Sequence, residues 1–458
     1  MPVEKFAVAM SAWLSSRAII SAPARRLQAS LRIGACAGAI TASALTVSAP
    51  VMAQEIVVLQ SYASPVEAPP LSTEAAPSQT VVAEFVTTML SRHPALRAAD
   101  AQFDAVEARA RGAARSLYNP TLEAEYEDAQ NITKSIGLSQ TLDWAGKRRA
   151  RASAGRADVD AARATRDIVR KALLTELLTS LTNFQTTLEL KRLSDRRLQN
   201  GEEFFSLADR RNRAGDLSES ELLTARLSLA KARADNNAAK GALSLARQNL
   251  SGVTGEEREI WPLLVGVPQS APLSVEDVQK GELPELVFAR AQSDASSKRI
   301  KVAKRNRKPD PTVGVSYGRE GTADLVGVRA SIPIPVLNSF KAQVDAARAD
   351  ATAAQETYTD IFRRVQARLT ESRRRYAAAS EAWRQWSASG SQPLSNQRVL
   401  LERLWRAGEI GAVDYLIQLD QTYEVETAAI ELRGRLWNAW FDWLNTTNEV
   451  NEWVESIR

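Results

Sequence analysis

A chain that says the same thing twice can fold only in ways that accommodate two copies of one unit, and in this chain about 190 residues separate the copies. Arg213-Ala-Gly-Asp-Leu217 returns as Arg406-Ala-Gly-Glu-Ile410, and His93-Pro-Ala-Leu96 answers to Leu283-Pro-Glu-Leu286. Asn119-Pro-Thr-Leu-Glu-Ala-Glu-Tyr126 answers to Asp310-Pro-Thr-Val-Gly-Val-Ser-Tyr317, and Arg156-Ala-Asp158 to Arg348-Ala-Asp350. Each copy reads as helix, strand, strand, very long helix, turn, long helix. The repeats occupy residues 82–250 and 283–447, joined by a linker, 251–282, that contains Pro262, Pro268 and Pro272.

Strand segments are placed at about 120–128, 134–143, 311–318 and 324–333 by period-two alternation. Leu122, Ala124 and Tyr126 alternate with Glu123, Glu125 and Glu127; Ile136, Leu138 and Leu142 alternate with small polar residues. In the second copy Val313, Val315 and Tyr317, then Val326, Val328, Ala330 and Ile332, form the apolar set, with Arg329 on the other face. Long helices are placed at about 145–213, 217–250, 339–406 (broken near Gly390–Pro393) and 411–447. A straight helix of nearly 70 residues is about 100 Å long. Leu174, Leu177, Leu181, Phe184 and Leu188 keep 3-4-3-4 spacing, as do Leu416, Leu419, Tyr423 and the run through Trp437, Trp440 and Leu444. A tight helix reversal calls for a residue that tolerates positive φ, so Gly215 and Gly408 mark the turns. Helical spacing assigns Trp437, Trp440 and Trp443 to a core. The fold class is mainly α with a small β part.

The formal net charge of +5 over 458 residues is mostly a leader effect. Residues 1–53 carry five basic side chains (Lys5, Arg17, Arg25, Arg26, Arg32) against Glu4, so the remainder is nearly neutral and gives no nucleic-acid signal. Basic residues ahead of the apolar run Ile33–Val47, then Val51-Met-Ala53, read as a secretory signal peptide. Cys36, the sole cysteine, falls inside it. Residues 54–81, rich in Pro and Ala, read as a flexible arm, and 448–458 as a C-terminal tail. No stretch after Gln54 approaches the twenty apolar residues of a membrane helix. Four strands are too few to close a barrel alone, so several chains sharing one barrel, continued by the long helices, would cover the apolar face.

The duplicated unit, the Asn119-Pro-Thr-Leu122 lead-in and the two R-A-G-[DE]-[LI] turns resemble the TolC-like outer-membrane efflux protein family, over nearly all of residues 84–447. Gln140-Thr-Leu-Asp-Trp-Ala-Gly-Lys-Arg-Arg-Ala-Arg151 is similar to a segment common in the cobalt–zinc–cadmium resistance branch. The resemblance implies a homotrimer with a twelve-stranded β-barrel in the outer membrane and a helical tunnel reaching into the periplasm. It implies partners as well: a periplasmic adaptor (membrane fusion protein) and an inner-membrane RND-type pump. The adaptor would contact the tip at Arg213, Ala214, Gly215, Arg406, Ala407 and Gly408, and Asp414 matches one of the family's tunnel-constricting aspartates. Ile417 and Ile410 stand where the family often has an acid and an arginine, so the usual ionic latch is missing. Leu122, Tyr126, Leu138, Val313, Val315, Tyr317 and Val328 are then expected to face lipid. Glu123, Glu125, Glu127 and Arg329 are expected to line the barrel, where carboxylate rings favour cations.

The expected function is passive conduction of substrates, heavy-metal cations first among them, from a pump–adaptor complex across the outer membrane. Drug export and type I protein secretion fit the same tunnel. A soluble periplasmic coiled-coil scaffold explains the heptads but not four matched amphipathic strands. With one histidine, His93, and no cysteine after cleavage, neither a resident metal site nor a cofactor is expected. No nucleophile–base set or phosphate-binding glycine loop points to an enzyme.

Overall fold

The computed structural model describes residues 79–128, 132–268 and 282–458, all within one compact unit, Leu71–Arg458. The signal peptide assigned to 1–53 and the arm up to residue 78 lie outside the described residues. In the first repeat two helices, α1 (Gln79–Arg92) and α2 (Pro94–Ala113), lead to strands β1 (Thr121–Asp128) and β2 (Ile132–Thr141). Helices α3 (Lys147–Ala214) and α4 (Glu219–Thr254) complete it. The second repeat follows as α5 (Pro284–Asn306), β3 (Thr312–Glu320), β4 (Ala323–Ser331), α6 (Lys341–Ser389), α7 (Ser391–Ala407) and α8 (Ala412–Thr447), with a short α9 (Val450–Ser456) at the end.

The four strands form one antiparallel sheet in the order β1-β2-β3-β4. The repeats therefore meet inside the sheet, where β2 pairs with β3, from Thr133 opposite Glu320 to Thr141 opposite Thr312. Above the sheet α3 runs unbroken for 68 residues. Its strand-proximal part is kept thin by buried Ala154, Ala157, Ala161 and Ala164. A Cβ on Gly155 would stand 3.2 Å from the Cα of Ala110, so that glycine is what lets α2 approach α3. Farther along, Leu174, Leu177, Leu178, Leu181 and Phe184 of α3 share a core with Leu369 and Tyr376 of α6 and Leu436, Trp437, Trp440, Phe441 and Trp443 of α8. Those tryptophans are core residues, each removing on the order of 150–250 Å² from water.

Several boundaries differ from the sequence reading. The first helix is two, because Pro94 cannot continue α1. His93 instead caps α2: its Nδ1 accepts from the Ala95 amide (3.2 Å) while Nε2 faces the Val253 carbonyl (3.1 Å). The last residues of the expected arm, from Gln79, are already helical. The helix placed at 339–406 breaks where Gly390–Pro393 marked it. Gly390 separates α6 from α7, the Trp386 ring lies so close that a Cβ there would meet it at 2.2 Å, and Pro393 has no amide to donate. The described part of the 251–282 linker is packed rather than loose, with Trp261 and Leu264 buried and Trp261 edge-on to Phe85 (5.8 Å) and Phe184 (6.5 Å). The expected tail forms α9, whose Val450 and Val454 join the core.

Candidate functional site

The residues singled out in the sequence fall in three regions of the described residues: the sheet, the joint between sheet and helices, and the tip of the helical hairpins. Cross-strand pairing sorts the sheet into faces. Leu122, Leu138, Val315 and Val328 form one row; Ala124, Ile136, Tyr317 and Val326 form the next; Val313 sits in a row with Gln140 and Ala330. Tyr126 stands at the hairpin end beside Lys134, Arg319 and Asp324, which close the apolar rows with charge. Every large apolar residue in these rows is exposed or half-buried. The opposite face carries Glu123, Glu125, Glu127 and Arg329 among glycines and serines. Ser139 Oγ donates to Glu123 (2.9 Å), Ser135 Oγ to Glu125 (3.2 Å), and Arg329 Nη1 to Glu123 (3.2 Å). Contact between β1 and β4 across two intervening strands means the sheet curls toward this polar face. A Cβ on Gly318 would stand 2.6 Å from the Lys134 carbonyl, and one on Gly327 2.5 Å from Ser316 Oγ, so the curl depends on glycine. Leu325, which period-two reading did not place, shares this face with Glu125.

The Gln140–Arg151 segment has a structural task at the joint. Both Asp143 carboxylate oxygens accept from the α3 amides of Lys147 (2.7 Å) and Arg148 (2.8 Å). Burial pushes the Asp143 pKa up, but amide bonds from Arg148, Lys147 and Gly146 outweigh it and hold it below the usual carboxylate range. Gly146 sits at φ 71° to make the corner. Lys147 pairs with Asp310 of the second repeat at 2.9 Å, with side chains only 10% and 3% exposed, and Tyr118 donates to the same carboxylate at 2.7 Å. Leu142 donates its amide to Pro311 (2.9 Å) and Trp144 its indole to Pro309 (2.6 Å). The end of β2 is thus clamped to the start of β3.

At the far end, both helix reversals follow one plan. Gly215 (φ 86°) and Gly408 (φ 75°) terminate α3 and α7. Asp216 donates back to Arg211 (2.9 Å) and Glu409 back to Leu404 (3.0 Å), the six-to-one bond of a Schellman motif. Arg213, Ala214, Gly215, Arg406, Ala407 and Gly408 are all exposed, and nothing lies within 4 Å of a Cβ added at either glycine. The two arginines bind back along their own helices, to Asp209 and Glu402, each at 2.5 Å. Asp414, in the first turn of α8, is exposed and has no ion-pair partner among the described residues.

What holds the α7–α8 hairpin to α3 is aromatic. Trp405 stacks on Tyr415 (5.3 Å) and lies 4.8 Å from Phe204, which stacks on Tyr415 at 5.2 Å; Arg211 covers Trp405 at 4.6 Å. Burial pushes the Tyr415 hydroxyl up to about 12. Next along the bundle, Arg197 of α3 bridges Asp235 of α4 (3.0 Å) and Asp420 of α8 (2.7 Å), and Arg196 and Arg398 both reach Glu426 (3.3 Å). These contacts were not legible in the sequence. Those that join α3 to α7 and α8, Phe204 to Trp405, Arg197 to Asp420 and Arg196 to Glu426, link residues about 200 or more apart in sequence. Among the described residues no group of three or more His, Cys, Asp or Glu is placed to hold a metal ion, and no helix is long and apolar enough to cross a membrane, which says nothing about strands.

Residues 86–256 match the family model described as outer membrane efflux protein. The match spans most of the first repeat. Solved structures extend the likeness to the second: the outer-membrane channel OprN aligns with TM-score 0.69 at 17% identity, covering 81% of this chain and 91% of its own. The MtrE outer membrane channel of Neisseria gonorrhoeae, in its open state, aligns with 0.67 at 18% identity, covering 81% and 89%. CusC, described in terms of folding and transmembrane channel formation, aligns with 0.67 at 15% identity, covering 81% and 92%. At these identities the structural likeness shows a shared fold, that of outer-membrane channels. A comparison with curated proteins finds no match.

Proposed function

We propose that this chain is the outer-membrane channel of a tripartite efflux system, three copies sharing a twelve-stranded barrel whose lumen continues into a helical tunnel. The observation that carries the reading is the sheet. Its apolar face is uncovered, both edge strands are unpaired among the described residues, and charge closes the apolar rows at the hairpin end. Strands of 8 to 10 residues suit a tilted crossing of the hydrocarbon layer. The apolar rows with Leu122, Tyr126, Leu138, Val313, Val315, Tyr317 and Val328 then meet lipid, and Glu123, Glu125, Glu127 and Arg329 line water. The family match and the shared fold support the same reading.

The two exposed glycine turns are the surface for a periplasmic adaptor that couples the channel to an inner-membrane pump, and Asp414 is the candidate for a constriction ring. Heavy-metal cations are the proposed cargo, on the likeness of the Gln140–Arg151 segment to the metal-resistance branch and on the acidic polar face. The choice of cargo would lie with the pump. Planar-bilayer reversal potentials are expected to show cation preference; anion preference would count against it.

The primary test is the mass and membrane fraction of the detergent-extracted protein. A trimer from outer membranes that resists carbonate extraction is expected, and a soluble monomer or dimer would sink the channel reading. Gly408→Trp should leave that trimer in place while abolishing export.

A further inference from the structure

The internal duplication specifies more than a second copy at the sheet edges; it specifies the register. We infer that β4 of one copy pairs with β1 of the next so that Arg329 faces Glu125 of the partner subunit, an inference that rests on the shared-barrel reading. Thr121 and Tyr126 of β1 correspond to Thr312 and Tyr317 of β3. Thr121 is opposite Ser139 and Thr312 is opposite Ser331, so β2 and β4 correspond with Ser139 matching Ser331. The same offset carries Arg156-Ala-Asp158 onto Arg348-Ala-Asp350 in the helices that follow, an independent check on the alignment. Two residues earlier, Gly137 matches Arg329, and on the other strand Ser316 matches Glu125.

The seam between repeats inside the chain sets Gly137 opposite Ser316. Carried to the seam between copies, it sets Arg329 opposite Glu125 of the partner subunit. Side-chain chemistry agrees along the whole edge. Ile136–Tyr317 becomes Val328 against Tyr126 of the partner subunit, Leu138–Val315 becomes Ala330 against Ala124 of the partner subunit, and Gln140–Val313 becomes Ile332 against Leu122 of the partner subunit. A slip of one residue would set Arg329 opposite Ala124 or Tyr126 of the partner subunit, which belong to the apolar face. Backbone bonds from Leu142 to Pro311 and from Gly321 to Ile132 mark the hydrogen-bonded pairs of the β2–β3 seam. Gly137–Ser316 therefore falls on a non-hydrogen-bonded pair, where side chains come closest, about 4.5 Å between Cα atoms. The new ion pair inherits that position. Within one chain Arg329 binds its own Glu123 at 3.2 Å across the curled sheet. In a closed cylinder its own β1 is three strand spacings away, about 14 Å, whereas the neighbour's β1 is one, so Arg329 exchanges its partner on assembly.

Cysteine trapping tests this in a Cys36→Ser background. Glu125→Cys with Arg329→Cys is expected to give, on oxidation of the detergent-extracted protein, a dimer and trimer ladder that reductant collapses. Glu123→Cys and Glu127→Cys paired with Arg329→Cys are expected to remain largely monomeric on the same gel. A trimer of correct mass that traps through one of those pairs instead, or through none, overturns the register and leaves the shared barrel standing. A parent that is not trimeric overturns both. As an independent readout, Arg329→Glu should lose SDS-resistant trimers and Glu125→Arg/Arg329→Glu should regain them; failure of the swap to restore what the single variant loses also overturns the pairing.

Discussion

Lys147→Met is the substitution that best tests how the sheet is fastened to the helices. The Lys147–Asp310 pair, 2.9 Å apart and almost wholly buried, joins the first residue of α3 to the lead-in of β3. At an effective dielectric of 20 its direct attraction is about 6 kcal/mol. Desolvation of two charges offsets most of that, so the intact pair adds little net stability. Removing one partner is another matter. Asp310 would keep the Tyr118 hydroxyl bond but lose its counter-charge, and Asp310 Oδ1 already lacks a hydrogen-bond partner. The expected loss is about 3–5 kcal/mol. Arg363→Met is the reference: its pair with Asp360, 2.7 Å long but 77% and 39% exposed, is screened by water and should leave the unfolding midpoint nearly unchanged. Thermal unfolding in detergent, followed by tryptophan fluorescence, reads both, with Trp144 beside the joint as a local probe. Lys147→Met/Asp310→Asn should recover at least half the loss, because the stranded charge is gone. A Lys147→Met variant within about 1 kcal/mol of the parent, or a double variant worse than the single, would refute the reasoning.

Val315→Arg places charge in the centre of the apolar rows and is expected to cost about 2–4 kcal/mol, visible as poor insertion into outer membranes, while Glu127→Arg on the opposite face inserts normally. Trp405→Ala empties the aromatic cluster at the tip at a cost of about 3–5 kcal/mol; hydrogen exchange should accelerate through residues 398–415 and leave the sheet unchanged. Asp143→Ala removes the α3 cap, a loss of about 1 kcal/mol at neutral pH. Because the folded-state pKa of Asp143 is lowered, its stabilisation is fully present above the ordinary value of 3.8 and is lost as pH falls through the lower folded value. The difference between parent and variant should therefore shrink only in strong acid; a difference that stays constant there would show the cap acts without its charge.

Local pattern and global partnership were not equally legible. The alternation of Leu122, Ala124 and Tyr126 with three glutamates marks a strand because side-chain direction has period two, a property of a few residues. The strands run Thr121–Asp128, Ile132–Thr141, Thr312–Glu320 and Ala323–Ser331, and Trp437, Trp440 and Trp443 lie in the core as their helical spacing implies. The joint was hidden. Asp143, Gly146 and Lys147 attract notice as a motif, but nothing near them names Asp310, which the duplication brings alongside only through the β2–β3 seam. Phe204, Trp405 and Tyr415 were unreadable as a cluster for the same reason. The break at Gly390 was half legible: Gly390 and Pro393 announce it, while the Trp386 ring that fills the glycine's place needs coordinates.

The two repeats differ in what their strand ends meet within the chain. The end of β2 finds Pro309, Asp310 and Pro311 within the chain and answers with Lys147, Trp144 and Leu142. The end of β4 finds nothing comparable among the described residues, and Ile334, Val336 and Leu337, in the stretch that leads to α6, are almost wholly exposed. Burying such side chains is worth roughly 1.5–3 kcal/mol each, a stabilisation the isolated chain cannot collect. The matching surface in the first repeat is Tyr118, Asn119 and Pro120, ahead of the unpaired edge of β1. The polar lead-ins differ: an aspartate precedes Pro311 and pairs with Lys147 within the chain, whereas a neutral, exposed Asn119 precedes Pro120.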